Sequence, residues 1–190
     1  MKYTEGSYGC RLEGITQQDL KYRNLAGRHN ENNKFDDPNR PQHVLVVWID
    51  DQEIVDAMKD AGFNVKEDED TYNDLGMRNY IQFKAYPKMR MNRITGKDEQ
   101  YPKVMMTTSK SKRQLPKEEF GYFDGAHVEK IDISFHAYEW EKGKFVASLD
   151  QVWCTVDESA GGQNDDYFEK KYGHLKNYEG DEEAEEMPFE

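Results

Sequence analysis

The sequence is poor in the residues that build metal centres and disulfide frameworks. Its 190 residues include two cysteines, Cys10 and Cys154, which lie far apart, and five scattered histidines, with no CxxC spacing. Zinc sites in small domains use short, regular ligand spacings, and disulfide-stabilised domains need several cysteines. We therefore expect no bound metal, no disulfide bond and no cofactor.

Long apolar runs are absent as well. No segment approaches the run of about 18 apolar residues that a membrane-spanning helix requires. The first ten residues, MKYTEGSYGC, have no apolar segment of the kind that signal peptides contain. The sequence therefore predicts a cytoplasmic protein without membrane contact.

Catalytic motifs are also missing. Asp50, Asp51, Asp132 and His136 could serve as acids or bases, but none falls in a nucleophile–base spacing, a glycine-rich phosphate loop or a metal pattern. We predict that the chain is not an enzyme.

What the sequence has in abundance is charge, and that charge is segregated. The chain carries a net charge of −12, of which residues 157–190 hold −9. Residues 78–117 hold eleven basic and two acidic residues, a net charge of +9. The overall acidity would argue against a nucleic-acid partner, but the basic middle segment is attractive to phosphate.

The apolar patterning predicts a mainly β protein, a small barrel of four or five strands with one short helix and long loops. Strands of the barrel are expected at residues 43–49, 78–88, 101–108, 128–140 and 144–156, with loops at 24–41, 66–74 and 109–117. Residues 8–15 are a candidate for one further short strand outside this set. A helix is expected over residues 52–61, with Asp50 as its N-cap. The apolar phase changes near Asp150, which predicts a β-bulge there.

Residues 78–88 alternate between two faces. Ile81, Phe83 and Ala85 form one face, which we assign to the core, and the opposite face is basic and aromatic. Cations that follow a phosphate backbone and rings that stack on bases are what a nonspecific single-strand binder needs. The predicted DNA-binding residues are Arg78, Tyr80, Lys84, Tyr86, Lys88, Arg90, Arg93, Lys97, Tyr101, Lys103, Lys110, Lys112 and Arg113.

A structural interpretation of this face competes with the functional one, because lysine and tyrosine are common on the solvated face of any antiparallel sheet. His136, Tyr138 and Trp140 could belong to the same surface or to a second hydrophobic cluster, and the sequence favours packing. Trp48 and Trp153 lie in apolar runs and are predicted to be core residues.

In its order of segments the chain resembles a known family. HVLVVWID, DQEIVDAMKDAGFNV, YIQFKAYPK, YPKVMM and FDGAHVEKIDISFHAYEWEKGKFVASLDQVWCTVDE, followed by an acidic end, are similar to the single-stranded DNA-binding proteins of tailed bacteriophages. The resemblance covers roughly residues 43–158 and the acidic end, and it implies a five-stranded oligonucleotide-binding (OB) fold. The domain that we predict spans residues 1–158, with residues 1–42 rich in loops. The resemblance also implies that single-stranded DNA is bound, in replication and recombination within the host cytoplasm.

The same resemblance gives the acidic end a role. Residues 159–190 are expected to form a disordered tail that recruits replication or recombination proteins. Bacterial single-stranded DNA-binding proteins end in Asp-Ile-Pro-Phe, which Met187, Pro188 and Phe189 match in part, although here Glu190 follows the phenylalanine. The competing interpretation is a solubilising, self-repelling end.

Another class of function is also compatible with the sequence. An acidic protein could mimic DNA, or inhibit a host nucleic-acid enzyme, by presenting residues 67–74 and the tail to a basic cleft. The sequence also leaves open a homodimer, RNA binding and the identity of the tail's partners.

Overall fold

Twelve β-strands and two short α-helices make up the described residues of the computed structural model, which are 1–7, 9–29, 41–92, 96–109, 111–141 and 144–157. The strands are β1 (Lys2–Gly6), β2 (Gly9–Ile15), β3 (Leu20–Asn24), β4 (Val44–Ile49), β5 (Lys66–Asp70), β6 (Gly76–Lys84), β7 (Lys88–Met91), β8 (Asp98–Tyr101), β9 (Lys103–Thr107), β10 (Lys112–Leu115), β11 (Val128–Glu141) and β12 (Lys144–Val156). The helices are α1 (Gln52–Asp60) and α2 (Phe120–Gly125). The predicted tail, residues 159–190, lies outside the described residues.

Ten of these strands form one sheet, and β7 pairs with β8 in a separate two-stranded ribbon. The main path of the sheet is β1-β2-β11-β12-β6-β4-β3, while β5 pairs with β6, β9 with β12 and β10 with β9. The mainly β prediction is confirmed. The prediction of a closed five-stranded barrel is wrong for the described residues, because more strands are present and no pairing joins β3 back to β1.

Strand β4 lies between β6 and β3 in the sheet, and all six of its residues are buried, as a β-branched and aromatic run favours. The following helix α1 begins at Gln52 as predicted and ends one residue early, at Asp60, but its N-cap differs from the prediction. Its N-cap is Asp51, whose carboxylate accepts the backbone N–H groups of Glu53 at 2.9 Å and Ile54 at 3.4 Å. Asp50, the predicted cap, instead binds Arg78, as described below.

The long strands β11 and β12 carry much of the core. Phe135 of β11 is fully buried, with its ring centroid 4.8 Å from that of Phe83 and 5.3 Å from that of Phe63. The predicted bulge is confirmed: Ser134 faces Gln151 and Phe135 faces Leu149, so Asp150 is the extra residue. Before the bulge β12 pairs in parallel with β6, and after it with β9.

Polar segments formed strands that their sequence does not predict. Residues 66–70 were expected to be a solvated loop, but they form β5 because they pair with β6. The predicted loop 109–117 likewise contains β10, paired with β9. The predicted loop from residue 24 begins where β3 ends, and its residues 30–40 lie outside the described residues.

Two predicted strands are shorter than expected. The strand over residues 78–88 ends at Lys84, and β7 begins a new strand at Lys88. The strand over 101–108 is divided at Pro102, which follows a cis peptide bond, into the end of β8 and β9. Of the two tryptophans assigned to the core, Trp48 is buried and Trp153 is only half-buried.

Candidate nucleic-acid interface

A row of paired residues crosses four strands and brings two distant parts of the sequence together. Lys84 on β6 pairs with Val44 on β4 and with Ser148 on β12, and Ser148 pairs with His136 on β11. Residues paired across neighbouring strands point to the same side of a sheet. Lys84 and His136 therefore lie on one face, the face opposite Phe83 and the core.

The chain that leaves β6 places an aromatic pair at the edge of this row. The backbone N–H of Ala85 donates to the carbonyl of His43 at 2.8 Å, which holds the chain beside β4 as far as Tyr86. The ring of Tyr86 lies 6.4 Å, centroid to centroid, from the ring of Tyr138, with 55° between the planes. Tyr86 is 44% exposed and Tyr138 is 52% exposed. Both rings are thus accessible to a ligand.

The environment keeps the Tyr86 hydroxyl uncharged. Partial burial raises the pKa of Tyr86 above its ordinary value, and the neighbouring Tyr138 raises it further. A neutral hydroxyl adds no negative charge to the surface. The Tyr86 hydroxyl therefore does not repel a polyanion.

An open groove of about 820 Å³ runs past this pair. Its described wall residues include three cations, Lys84, Lys88 and Arg90, and no carboxylate. The full lining is Pro41, Gln42, His43, Val44, Lys84, Ala85, Tyr86, Pro87, Lys88, Arg90, His136, Tyr138 and Ser148. Four predicted site residues, Lys84, Tyr86, Lys88 and Arg90, thus come together at one place.

The second cationic wall of the groove comes from the β7–β8 ribbon. The guanidinium carbon of Arg90 lies 5.4 Å from the centroid of the Tyr101 ring, and the ammonium of Lys103 lies 5.7 Å from the same ring. Lys103 also pairs with Glu99 at 2.7 Å. Tyr101 therefore contacts one cation of the groove lining, Arg90, and one cation outside that lining, Lys103 of β9, which is balanced by a carboxylate.

Arg78 has a different role from the one predicted. It is 7% exposed, and its guanidinium binds Asp50 with two hydrogen bonds of 2.8 Å and Asp70 with one of 2.6 Å. The Asn73 side chain, followed by Arg78, lowers the pKa of the Asp70 carboxyl to about 2, against the opposing effect of burial. Because its donors are engaged and it is buried, Arg78 is removed from the candidate interface.

Tyr80 also lies away from the groove. Its ring meets the ring of Trp48 edge-on, with centroids 5.9 Å apart, and the ammonium of Lys21 lies 4.5 Å from its centroid. The same ammonium lies 3.9 Å from the Trp48 ring. Tyr80 therefore packs in a cation–aromatic cluster on the same face but farther along β6.

The remaining predicted residues are distributed more widely. Arg113 on β10 pairs with Glu119 at 2.9 Å, and Lys112 is exposed on the same strand. Lys97 lies just before β8 and is exposed. Arg93, Lys110, Met187, Pro188 and Phe189 lie outside the described residues.

Sequence reasoning assigned part of the groove to packing. His136 and Tyr138 were expected to pack in a hydrophobic cluster, but both line the groove, and His43 lines it too. The signal was present in β11, where His136 and Tyr138 alternate with the core residues Phe135 and Ala137. The sequence could not show that this face lies beside Lys84, because that depends on the pairing of β12 with β6.

The acid and base candidates for catalysis have structural contacts at separate places. Asp50 binds Arg78, Asp51 caps α1, and Asp132 accepts the backbone N–H of Gly14 at 2.7 Å. Nδ1 of His136 lies 2.7 Å from the Asp150 carboxylate on β12. Within the ranges that the structure describes, no group of three or more potential metal ligands comes together, and no helix has the length and apolar character to cross a membrane.

The comparisons with known proteins found similarity among solved structures. No protein-family model and no curated protein matches the chain. The single-stranded DNA-binding protein of bacteriophage Enc34, in complex with single-stranded DNA, is 12% identical, with 80% of this chain and 89% of that chain covered and a TM-score of 0.46. A C-terminal truncation of the Enc34 protein is 11% identical, with 83% and 96% covered and a TM-score of 0.45. The gp2.5 single-stranded DNA-binding protein of bacteriophage T7 is 14% identical, with 90% and 96% covered and a TM-score of 0.34.

Proposed function

We propose that this protein binds single-stranded DNA without sequence preference, in the groove lined by Tyr86, Tyr138, Lys84, Lys88 and Arg90. One observation carries the proposal: two exposed tyrosine rings lie in the same open groove as three cations. Bases that are not paired can stack on the rings while the cations follow the phosphates.

The geometry favours single strands over duplex. In a duplex the faces of the bases are already stacked on one another, so Tyr86 and Tyr138 would find no free base face. A stacking platform tolerates every base, because each has an aromatic face, and lysine recognises phosphate as a point charge. Sequence-independent binding is the expected result.

The test is a titration of labelled oligo(dT) and of a duplex of equal length at two salt concentrations. If three cations contact phosphates, the logarithm of the association constant falls with the logarithm of salt with a slope of about −2. Between 50 and 200 mM salt this is roughly a 15-fold loss of affinity. Equal affinity for duplex, or a slope near zero, would contradict the proposal.

The biological process and the role of the tail are proposed from the sequence resemblance. In this proposal the sheet belongs to an OB-type fold acting in phage DNA replication and recombination, and the acidic tail recruits partner proteins through Met187, Pro188 and Phe189. The tail, whose residues 159–190 hold a net charge of −7, also competes with DNA for the basic groove. Deleting residues 181–190 should then tighten oligo(dT) binding at low salt, and an unchanged affinity would refute the competition.

The competing function is an acidic DNA mimic, which the exposed residues Glu67, Asp68 and Glu69 of β5 would support. Lys21 pairs with Asp68 at 2.5 Å, so part of this acidic strand is neutralised within the fold. A mimic would bind neither oligonucleotide. The same titration therefore separates the two functions.

A further inference from the structure

The bulge in β12 brings an aspartate next to the groove that would hold the phosphates. Asp150 is the extra residue of the bulge, and its carboxylate lies 2.7 Å from Nδ1 of His136. A lone carboxylate there would repel a polyanion. Here the Asp150 carboxylate contacts His136, which lines the groove and can carry a positive charge that offsets it.

The hydrogen bond fixes which nitrogen of His136 faces the ligand. An ionised carboxylate only accepts hydrogen bonds, so Nδ1 of His136 carries a proton and donates it to Asp150. Nε2 is then left for the groove. When the ring is neutral, Nε2 is an acceptor and offers nothing to a phosphate oxygen; when the ring takes up a second proton, Nε2–H becomes a charged donor.

We propose that His136, oriented by Asp150, is a phosphate-binding residue whose protonation is coupled to the binding of single-stranded DNA. The inference rests on the proposed function. Bound phosphate favours the protonated ring, so by linkage protons favour DNA binding. Asp150 is a positioning residue, and its charge is balanced once His136 is protonated.

The surroundings of His136 contain few other groups that change charge between pH 6 and pH 8. Histidine is the residue type that ordinarily changes charge in this range, and the described groove lining contains one other histidine, His43, whose Nδ1 lies 2.6 Å from the carbonyl oxygen of Leu25. The groups that face His136 are Asp150 and Ser148 on β12, Lys84 on β6, the Arg11–Glu13 ion pair on β2, Tyr138 on β11, and His43, Tyr86, Lys88 and Arg90 around the groove.

The experiment measures the dissociation constant for oligo(dT) at fixed salt between pH 8 and pH 6. For the unmodified protein we expect the constant to fall about five-fold, the effect of one exposed charge pair. The His136→Gln variant should lose most of this dependence. The matched control is His127→Gln: His127 lies just before β11, 3.8 Å from the Asp157 carboxylate and outside the groove lining, so its removal should leave the dependence unchanged.

A second measurement tests the positioning role. Nitrogen NMR of the free protein at pH 8 should show His136 in the Nδ1–H form, and Asp150→Asn should weaken this preference. An Nε2–H form in the unmodified protein, or a pH dependence that His136→Gln leaves intact, would overturn the inference while leaving the proposed function standing. Absence of oligo(dT) binding at every pH would remove both.

Discussion

The two groove tyrosines give the sharpest prediction of how the ligand is held. Each should contribute about 1 to 3 kcal/mol by stacking on a base, so Tyr86→Ala and Tyr138→Ala should each raise the dissociation constant for oligo(dT) roughly 5- to 150-fold. Both residues are about half exposed, so the substitutions should leave the core intact.

The geometry of the pair also predicts how the two effects combine. A base held flat between two rings needs the rings nearly parallel, but these are tilted by 55° with centroids 6.4 Å apart. A single base can lie flat on only one ring, so the tyrosines should receive different bases. The double variant should therefore lose nearly the sum of the two effects, with a coupling energy below about 1 kcal/mol.

The assay is fluorescence anisotropy with labelled oligo(dT), and circular dichroism checks that each variant is folded. Tyr86→Phe and Tyr138→Phe should bind nearly as well as the unmodified protein, because stacking uses the ring and not the hydroxyl. Tyr72→Ala is the control, since Tyr72 is 95% exposed and lies in the turn between β5 and β6. If Tyr86→Ala and Tyr138→Ala change affinity no more than Tyr72→Ala does, the stacking argument fails.

Three further predictions concern charge. Replacing Lys84 and Lys88 together with glutamine should reduce the magnitude of the salt slope by about 1.4, measured in the same titration, whereas Lys59→Gln on the exposed side of α1 should leave it unchanged. Arg78→Gln should lower the melting temperature, because it leaves the buried Asp70 without its cation. It should leave the oligo(dT) affinity of the folded protein unchanged. A large loss of affinity in a variant that is still fully folded would show that Arg78 belongs to the interface. The pKa of Asp70 is lowered to about 2, so the ionised carboxylate stabilises the fold fully above the ordinary aspartate pKa near 4, and this stabilisation is lost as the pH falls towards 2. A series of Tm measurements from pH 5 to pH 2 checks this loss. An Asp70→Asn variant with the same acid sensitivity as the unmodified protein would contradict it.

Local patterns in the sequence predicted the parts of the fold that local chemistry determines. The apolar run of β4, the amphipathic helix α1 and the phase change at Asp150 each leave a mark within a short segment. All three were found close to their predicted positions.

Long-range pairing determined what the sequence could not show. The acidic residues of β5 have no strand pattern of their own, and they are extended because β6 offers them a partner. The same pairing explains the error at Arg78: alternation puts it on the face of Lys84, but Asp50 and Asp70 enclose it at that end of β6.

For the same reason, only part of the candidate site could be predicted from the sequence. Lys84, Tyr86, Lys88 and Arg90 are close in sequence, so one segment identified them together. His136 and Tyr138 come from a strand about fifty residues later in the sequence. They join the groove only because β12 bridges β11 and β6.

Photo-crosslinking shows whether bases lie against the groove tyrosines when DNA is bound. Oligonucleotides carrying 5-iodo-deoxyuridine are irradiated in complex with the protein, and the adducts are located by mass spectrometry. We expect adducts at Tyr86 and Tyr138. Tyr72 is 95% exposed, so it would react first if solvent accessibility alone determined where the adducts form. Adducts at Tyr72 with none at Tyr86 or Tyr138 would contradict stacking of bases in the groove.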